Sequence, residues 1–192
     1  MPSENRKGNM NLDIFNIKNY NGVEISFHEC RGYSSAKYFE YTISLSCYHR
    51  DEYEDDFDYE NVDDCNKNHN YNLQIYSDDQ LCEEVGFKKY EKIMDIDYLF
   101  FDNIFNRLKA VNFKAFLYDN PEILDAGGIS FTIKKNNISF NLFYYDCEDD
   151  YKKSAYYSVI ELNKILNIIK EKLNFDEWYK GIQIEVFGNN QE

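Results

Sequence analysis

Apolar and polar residues alternate in several short runs of the chain, and apolar residues recur at helical spacing in two longer ones. "LDIFNI" (12–17) and "VEISFHE" (23–29) both alternate, and "YNG" between them predicts an opening hairpin. A three-residue loop over Tyr20, Asn21 and Gly22 sets Ile17 against Ile25 and Phe15 against Phe27, with Gly22 in the left-handed conformation. A two-residue loop would mix the faces. "YFEYTISLSCYH" (38–49) predicts a long strand, with Phe39, Tyr41, Ile43, Leu45 and Cys47 toward a core and Glu40, Thr42, Ser44 and Ser46 toward water. Apolar periodicity then vanishes over residues 51–71, which reads as a long surface insertion, before a short strand at 73–76.

Helical spacing appears in "DIDYLFFDNIFNRLKAV" (95–111), where Phe101, Ile104, Phe105, Leu108 and Val111 share one face. Aspartates at its start and Arg107 and Lys109 near its end complement the helix dipole. "GISFTIKKNNISFNLFYYD" (128–146) is a hairpin: with Asn136 and Asn137 as the turn, Ile133 faces Phe140, Phe131 faces Leu142 and Ile129 faces Tyr144. The longest helix begins at Ser154 or Ser158 and runs to Leu173, with Ser158 and Glu161 as a capping box and Val159, Leu162, Ile165, Leu166, Ile169 and Leu173 as the buried stripe. "GIQIEVF" (181–187) alternates as a last strand. The expected fold is α+β: a mostly antiparallel sheet with two main helices packed on one face and an acidic surface insertion. A chain of 192 residues fits one domain, here 12–188 with the insertion at about 51–71, behind a flexible N-terminus at 1–11.

Charge changes this picture more than composition does. The net charge is −14, and residues 51–97 hold 16 Asp/Glu against 4 Lys/Arg, so they carry −12 of it. Nonspecific attraction to nucleic acid or to an anionic membrane is disfavoured, and a basic partner is favoured. The densest run, "DEYEDDFDYENVDD" (51–64), sets nine carboxylates among Tyr53, Phe57 and Tyr59. A solvated acidic linker is normally poor in aromatic rings, whereas interface hot spots combine Tyr with steering charge. The candidate partner-binding residues are therefore Asp51, Glu52, Tyr53, Glu54, Asp55, Asp56, Asp58, Tyr59 and Glu60. A second acidic patch, 146–150, is flanked by Tyr144-Tyr145 and Tyr156-Tyr157; adjacency leaves room for at least one ring of each pair to be exposed, while core packing is the commoner fate of Tyr beside an apolar stripe.

Other chemistry finds less support. No glycine falls within residues 51–64 to make the sharp turn of a calcium loop. Cys47, His49, Cys65 and His69 supply zinc-ligand types, but Cys-x-His is a tight spacing and Cys47 is in phase with a strand's core face. Five cysteines without a C-x-x-C pair fit reduced thiols better than a disulfide framework. His28 beside Glu29, or Cys147 with any of the three histidines, could be drawn as a catalytic pair, yet residue types without geometry are not a site. "DAGG" (125–128) precedes a strand, so it reads as a turn rather than a phosphate cradle. Phosphate-loop, dinucleotide, nucleophile-elbow and zinc-protease motifs are all absent, and neither cofactor nor metal is called for. The polar N-terminus and the lack of a bilayer-length apolar run point to the cytosol.

These properties lead to a small acidic binding protein that neutralises a basic partner. In type it is similar to immunity proteins that inhibit toxins, a similarity of composition and architecture that no motif carries. A phage or plasmid anti-defence inhibitor imitating nucleic acid is the alternative, and an unfamiliar enzyme or metal-dependent module the second.

Overall fold

The computed structural model describes residues 11–30, 40–48, 66–67, 69–77, 90–118, 127–145, 151 and 153–187. Among them are six strands: β1 (Val23–Cys30), β2 (Tyr41–Tyr48), β3 (Asn70–Ser77), β4 (Glu91–Ile96), β5 (Gly128–Lys135) and β6 (Ile138–Tyr144). Three helices accompany them: α1 (Tyr98–Ala110), α2 (Lys153–Leu173) and α3 (Phe175–Phe187). The strands form one sheet in the order β4-β3-β2-β1-β5-β6, and every pairing is antiparallel.

Period-two alternation decides which face of the sheet is covered. Val23, Ile25 and Phe27 of β1, Ile43 and Leu45 of β2, Leu73 and Ile75 of β3, Phe131 and Ile133 of β5 and Phe140 of β6 are all buried on one side. Onto them α1 lays Phe101, Ile104, Phe105 and Leu108, the predicted stripe, and α2 lays Val159, Leu162, Ile165, Leu166, Ile169 and Leu173, also as predicted. Helix α2 spans the sheet's width. Tyr151, just before it, accepts from the Tyr145 amide after β6, and its last carbonyl, Leu173 O, accepts from Lys92 Nζ on β4. The β5–β6 hairpin has the predicted register, Ile133 to Phe140, Phe131 to Leu142 and Ile129 to Tyr144. Asn136 takes the left-handed conformation there with φ 52°.

Several expectations are overturned. Residues 12–17 are not a strand: Leu12–Asn16 is a 3-10 turn started by Asn11, whose side chain accepts from the Asp13 amide. The physical reason is that β1 has no free edge, because β2 and β5 occupy both sides. Ile14 is buried, and Phe15 stacks on Phe113 at 4.8 Å and meets Phe140 edge-on at 5.5 Å. Gly22 is left-handed, φ 73°, but in the turn where the Val23 amide donates to Tyr20 O. Residues 181–187 are the end of α3 rather than a strand. Asn174, φ 50°, ends α2, and Phe175, Trp178, Tyr179 and Ile182 then repeat at helical spacing with Phe175, Trp178 and Tyr179 packed on the core and Ile182 buried. Ser158 does not cap α2, which is already helical from Lys153; its hydroxyl donates instead to Asn112 O at 3.2 Å. The strand expected at 73–76 starts at Asn70, inside the range given to the expected insertion, and β4 is an element the sequence reading lacked. Of the two tyrosine pairs, Tyr144 and Tyr145 both take the core fate, whereas Tyr157 is exposed.

Candidate functional site

The strands' directions fix where the acidic stretches leave the fold. β1 and β6 run one way, β2 and β5 the other, so the end of β2 and the end of β6 lie at opposite ends of the sheet. The stretch holding Asp51, Glu52, Tyr53, Glu54, Asp55, Asp56, Asp58, Tyr59 and Glu60 follows β2 and lies outside the described residues, as does the patch at 146–150 after β6. What the structure describes is the neck of each.

At the first neck Asn66 is buried, and its side-chain amide and its carbonyl are bonded to the domain. Its Oδ1 accepts from the Tyr20 amide at 2.9 Å, its Nδ2 donates to Lys18 O at 2.8 Å, and its carbonyl accepts from the Tyr71 hydroxyl. The Tyr20 hydroxyl in turn donates to Asp102 of α1 at 2.6 Å. Burial, with the Cys47 thiol next in weight, pushes the Tyr71 hydroxyl well above the usual tyrosine range, so it stays a neutral donor. At the second neck the Tyr145 amide donates to the Tyr151 hydroxyl at 2.6 Å, and both residues are buried. Each acidic stretch is thus joined to rigid backbone by hydrogen bonds within the core, where an unmade bond is expensive.

The sheet face away from the helices carries the remaining candidates. Pairing aligns its central row as Gln74, Ser44, Ser26, Thr132 and Asn141, all neutral and hydrogen-bonding. Beside that row His28 Nδ1 lies 2.9 Å from Thr42 Oγ1, and its Nε2 lies 3.8 Å from Glu40. A carboxylate, an imidazole and a hydroxyl therefore stand in sequence, but β1 and β2 are interior strands whose backbone amides serve ladders on both sides. Among the described residues these two strands offer no donor pair to an oxyanion beside His28. Of the zinc candidates, Cys47 faces Tyr71 across β2–β3 and His69 is buried, while His49 and Cys65 lie outside the described residues. Among the described residues no three His, Cys, Asp or Glu side chains converge on a metal position.

One polar cluster escaped the sequence reading. Glu29 lies on the core face of β1, in phase with Val23, Ile25 and Phe27, and not beside His28 on the open face. Its carboxylate accepts from the Tyr41 hydroxyl and pairs with Lys170 Nζ of α2 at 3.2 Å. Lys170 also lies over the Tyr41 and Phe175 rings, 5.4 and 4.9 Å from their centroids. Beside it a cleft of 480 Å³ opens at the α2–α3 junction, lined by Asn167, Glu171, Asn174, Phe175 and Asp176 among others. The signal was available: a carboxylate in phase with three apolar residues has to find a partner inside. No described helix is long and apolar enough to cross a membrane. Comparison with family models, curated proteins and solved structures returns no match to this chain.

Proposed function

We propose that the chain is a small acidic binding protein of the cytosol that neutralises a basic partner protein, as an immunity protein acting on a nuclease-type toxin does. The observation that carries the reading is the charge: −14 overall, of which residues 51–97 hold −12. A nuclease is basic because it holds phosphates, so a strongly acidic inhibitor gains steering toward the surface it must obstruct. The same charge turns nucleic acid and anionic membranes away as direct partners.

The test is capture of the bound protein from the native host, followed by rates for the purified pair. Changing Asp55, Asp56, Asp58 and Glu60 to Asn or Gln should leave the melt unchanged and slow association by about tenfold at low salt, with little difference at high salt. Tyr53→Ala and Tyr59→Ala should act mainly on dissociation. A partner without a basic surface would sink the reading, and unchanged rates in all variants at both salts would move the binding face off this stretch.

A further inference from the structure

β4 is an edge strand, and the backbone groups it turns outward can be identified. The Ser77 amide donates to Tyr90 O at 2.9 Å, so Tyr90 faces β3. Antiparallel alternation then turns Lys92, Met94 and Ile96, opposite Ile75, Leu73 and Tyr71, toward β3 as well. The N–H and C=O groups of Glu91, Ile93 and Asp95 consequently point away from the sheet, on a strand that among the described residues pairs with β3 alone. Their side chains are exposed too. Ile93 is 57% accessible, and Glu91 and Asp95 flank it, with Glu91 accepting from the Gln74 side chain. Lys92, the one cation of β4, is turned to the helix side, where its Nζ caps Leu173 O. The edge therefore presents carboxylate, isoleucine, carboxylate along three outward residues.

From this we infer that β4 is a docking edge for an extended segment of the basic partner, which joins the sheet as a seventh strand beside Glu91–Ile96. The inference rests on the reading of a basic partner. A row of unpaired N–H and C=O groups is a template for strand addition, with side-chain pockets supplying the selectivity. The complementary segment carries Lys or Arg opposite Glu91 and Asp95 and an uncharged residue opposite Ile93. A second copy of this chain does not fit. Antiparallel self-pairing about Ile93 would set Glu91 opposite Asp95 twice, between two molecules of charge −14 each.

The probe is a blocked seven-residue peptide of threonine with valine at its centre and lysine two residues to either side, together with its glutamate-for-lysine twin. Hydrogen exchange of the full chain is followed amide by amide. The lysine peptide should slow exchange at Glu91, Ile93 and Asp95 by about tenfold at saturation, and the glutamate peptide should not. Ile93→Pro removes only an outward donor, so the β3–β4 ladder should survive while the protection is lost. The double variant Glu91→Lys/Asp95→Lys keeps the backbone whole and should exchange the preference for the two peptides. Protection elsewhere, or equal binding to Ile93→Pro, would overturn the edge while leaving a basic partner in place. Equal binding of the lysine and glutamate peptides would remove the charge argument itself.

Discussion

Replacing Lys170 by Met should destabilise the fold through the partner it leaves behind. Met keeps most of the stem's packing over Tyr41 and Phe175 but removes the ammonium from Glu29, whose side chain is 11% accessible against 22% for Lys170. Breaking a buried pair from one side costs about 3 to 5 kcal/mol when the remaining charge has no other partner. Glu29 keeps the Tyr41 hydroxyl among its remaining partners, and what it keeps returns about 1 to 2 kcal/mol, so the net loss should be about 2 to 3 kcal/mol. Glu29→Gln, which retains Tyr41 as partner, should lose about 1 kcal/mol. The double variant Glu29→Leu/Lys170→Met, with no charge left to satisfy but the Tyr41 hydroxyl deprived of this acceptor, should lie within about 2 kcal/mol of the parent.

Urea unfolding of the parent, Glu29→Leu, Lys170→Met and the double variant closes the cycle, provided the slopes with denaturant agree. A coupling of about 2 kcal/mol is expected, and the Lys170→Met melt should fall by about 5 to 10 °C for a chain of this length. A coupling below about 0.5 kcal/mol, the range of an exposed ion pair, would mean that water reaches Glu29 freely and that its inward position is energetically idle.

Leu166 lies in the α2 stripe at 3% accessibility, so Leu166→Asp should unfold the protein: a buried unpaired carboxylate costs several kcal/mol against a total of about 5 to 15. A cooperative and unshifted melt would place the core on another face. Tyr71 gives a pH prediction. Its hydroxyl titrates higher in the folded chain than in the unfolded one, so its contribution is whole below about pH 10 and is lost as pH rises beyond it. Tyr71→Phe should cost about 1 kcal/mol at neutral pH, for the lost bond to Asn66 O, and should flatten the decline in stability above pH 10 measured by urea unfolding.

The elements that were legible in the sequence are those whose periodicity and burial coincide. The β5–β6 hairpin, α1 and the α2 stripe each have one apolar face and bury it, so counting positions recovers even the register. The failures share a cause as well. Alternation at 12–17 and at 181–187 is only a permission to pair, and it needs a free strand edge at hand. β1 offered none to the first run, and the left-handed Asn174 turned the second into the continuation of a helical repeat that began at Phe175. β4 was hidden for the opposite reason. An edge strand half open to water has no need of a strict apolar face, and Lys92 occupies an inward position by reaching past it to Leu173 O.

The same contrast separates the two kinds of candidate site. Carboxylate density in residues 51–64 is plain to count but has no period, so it says that the stretch is acidic and nothing about a direction. Glu29 could have been found, because a strand's period of two sets it on the side of Ile25 and Phe27 whatever lies next to it in the chain; reading it with its neighbour His28 crossed from one face to the other. The outward groups of Glu91, Ile93 and Asp95 could not. Which backbone amides face a neighbour depends on which residue is opposite which, and here one contact, Ser77 to Tyr90, sets the phase for the whole strand. A shift of one residue in that contact would turn the N–H groups of Glu91, Ile93 and Asp95 into the ladder and leave Lys92 and Met94 to offer theirs instead. The docking edge is therefore a property of register as well as of charge: the phase of the β3–β4 ladder decides which amides it offers, and the carboxylates of Glu91 and Asp95 decide which segment it takes.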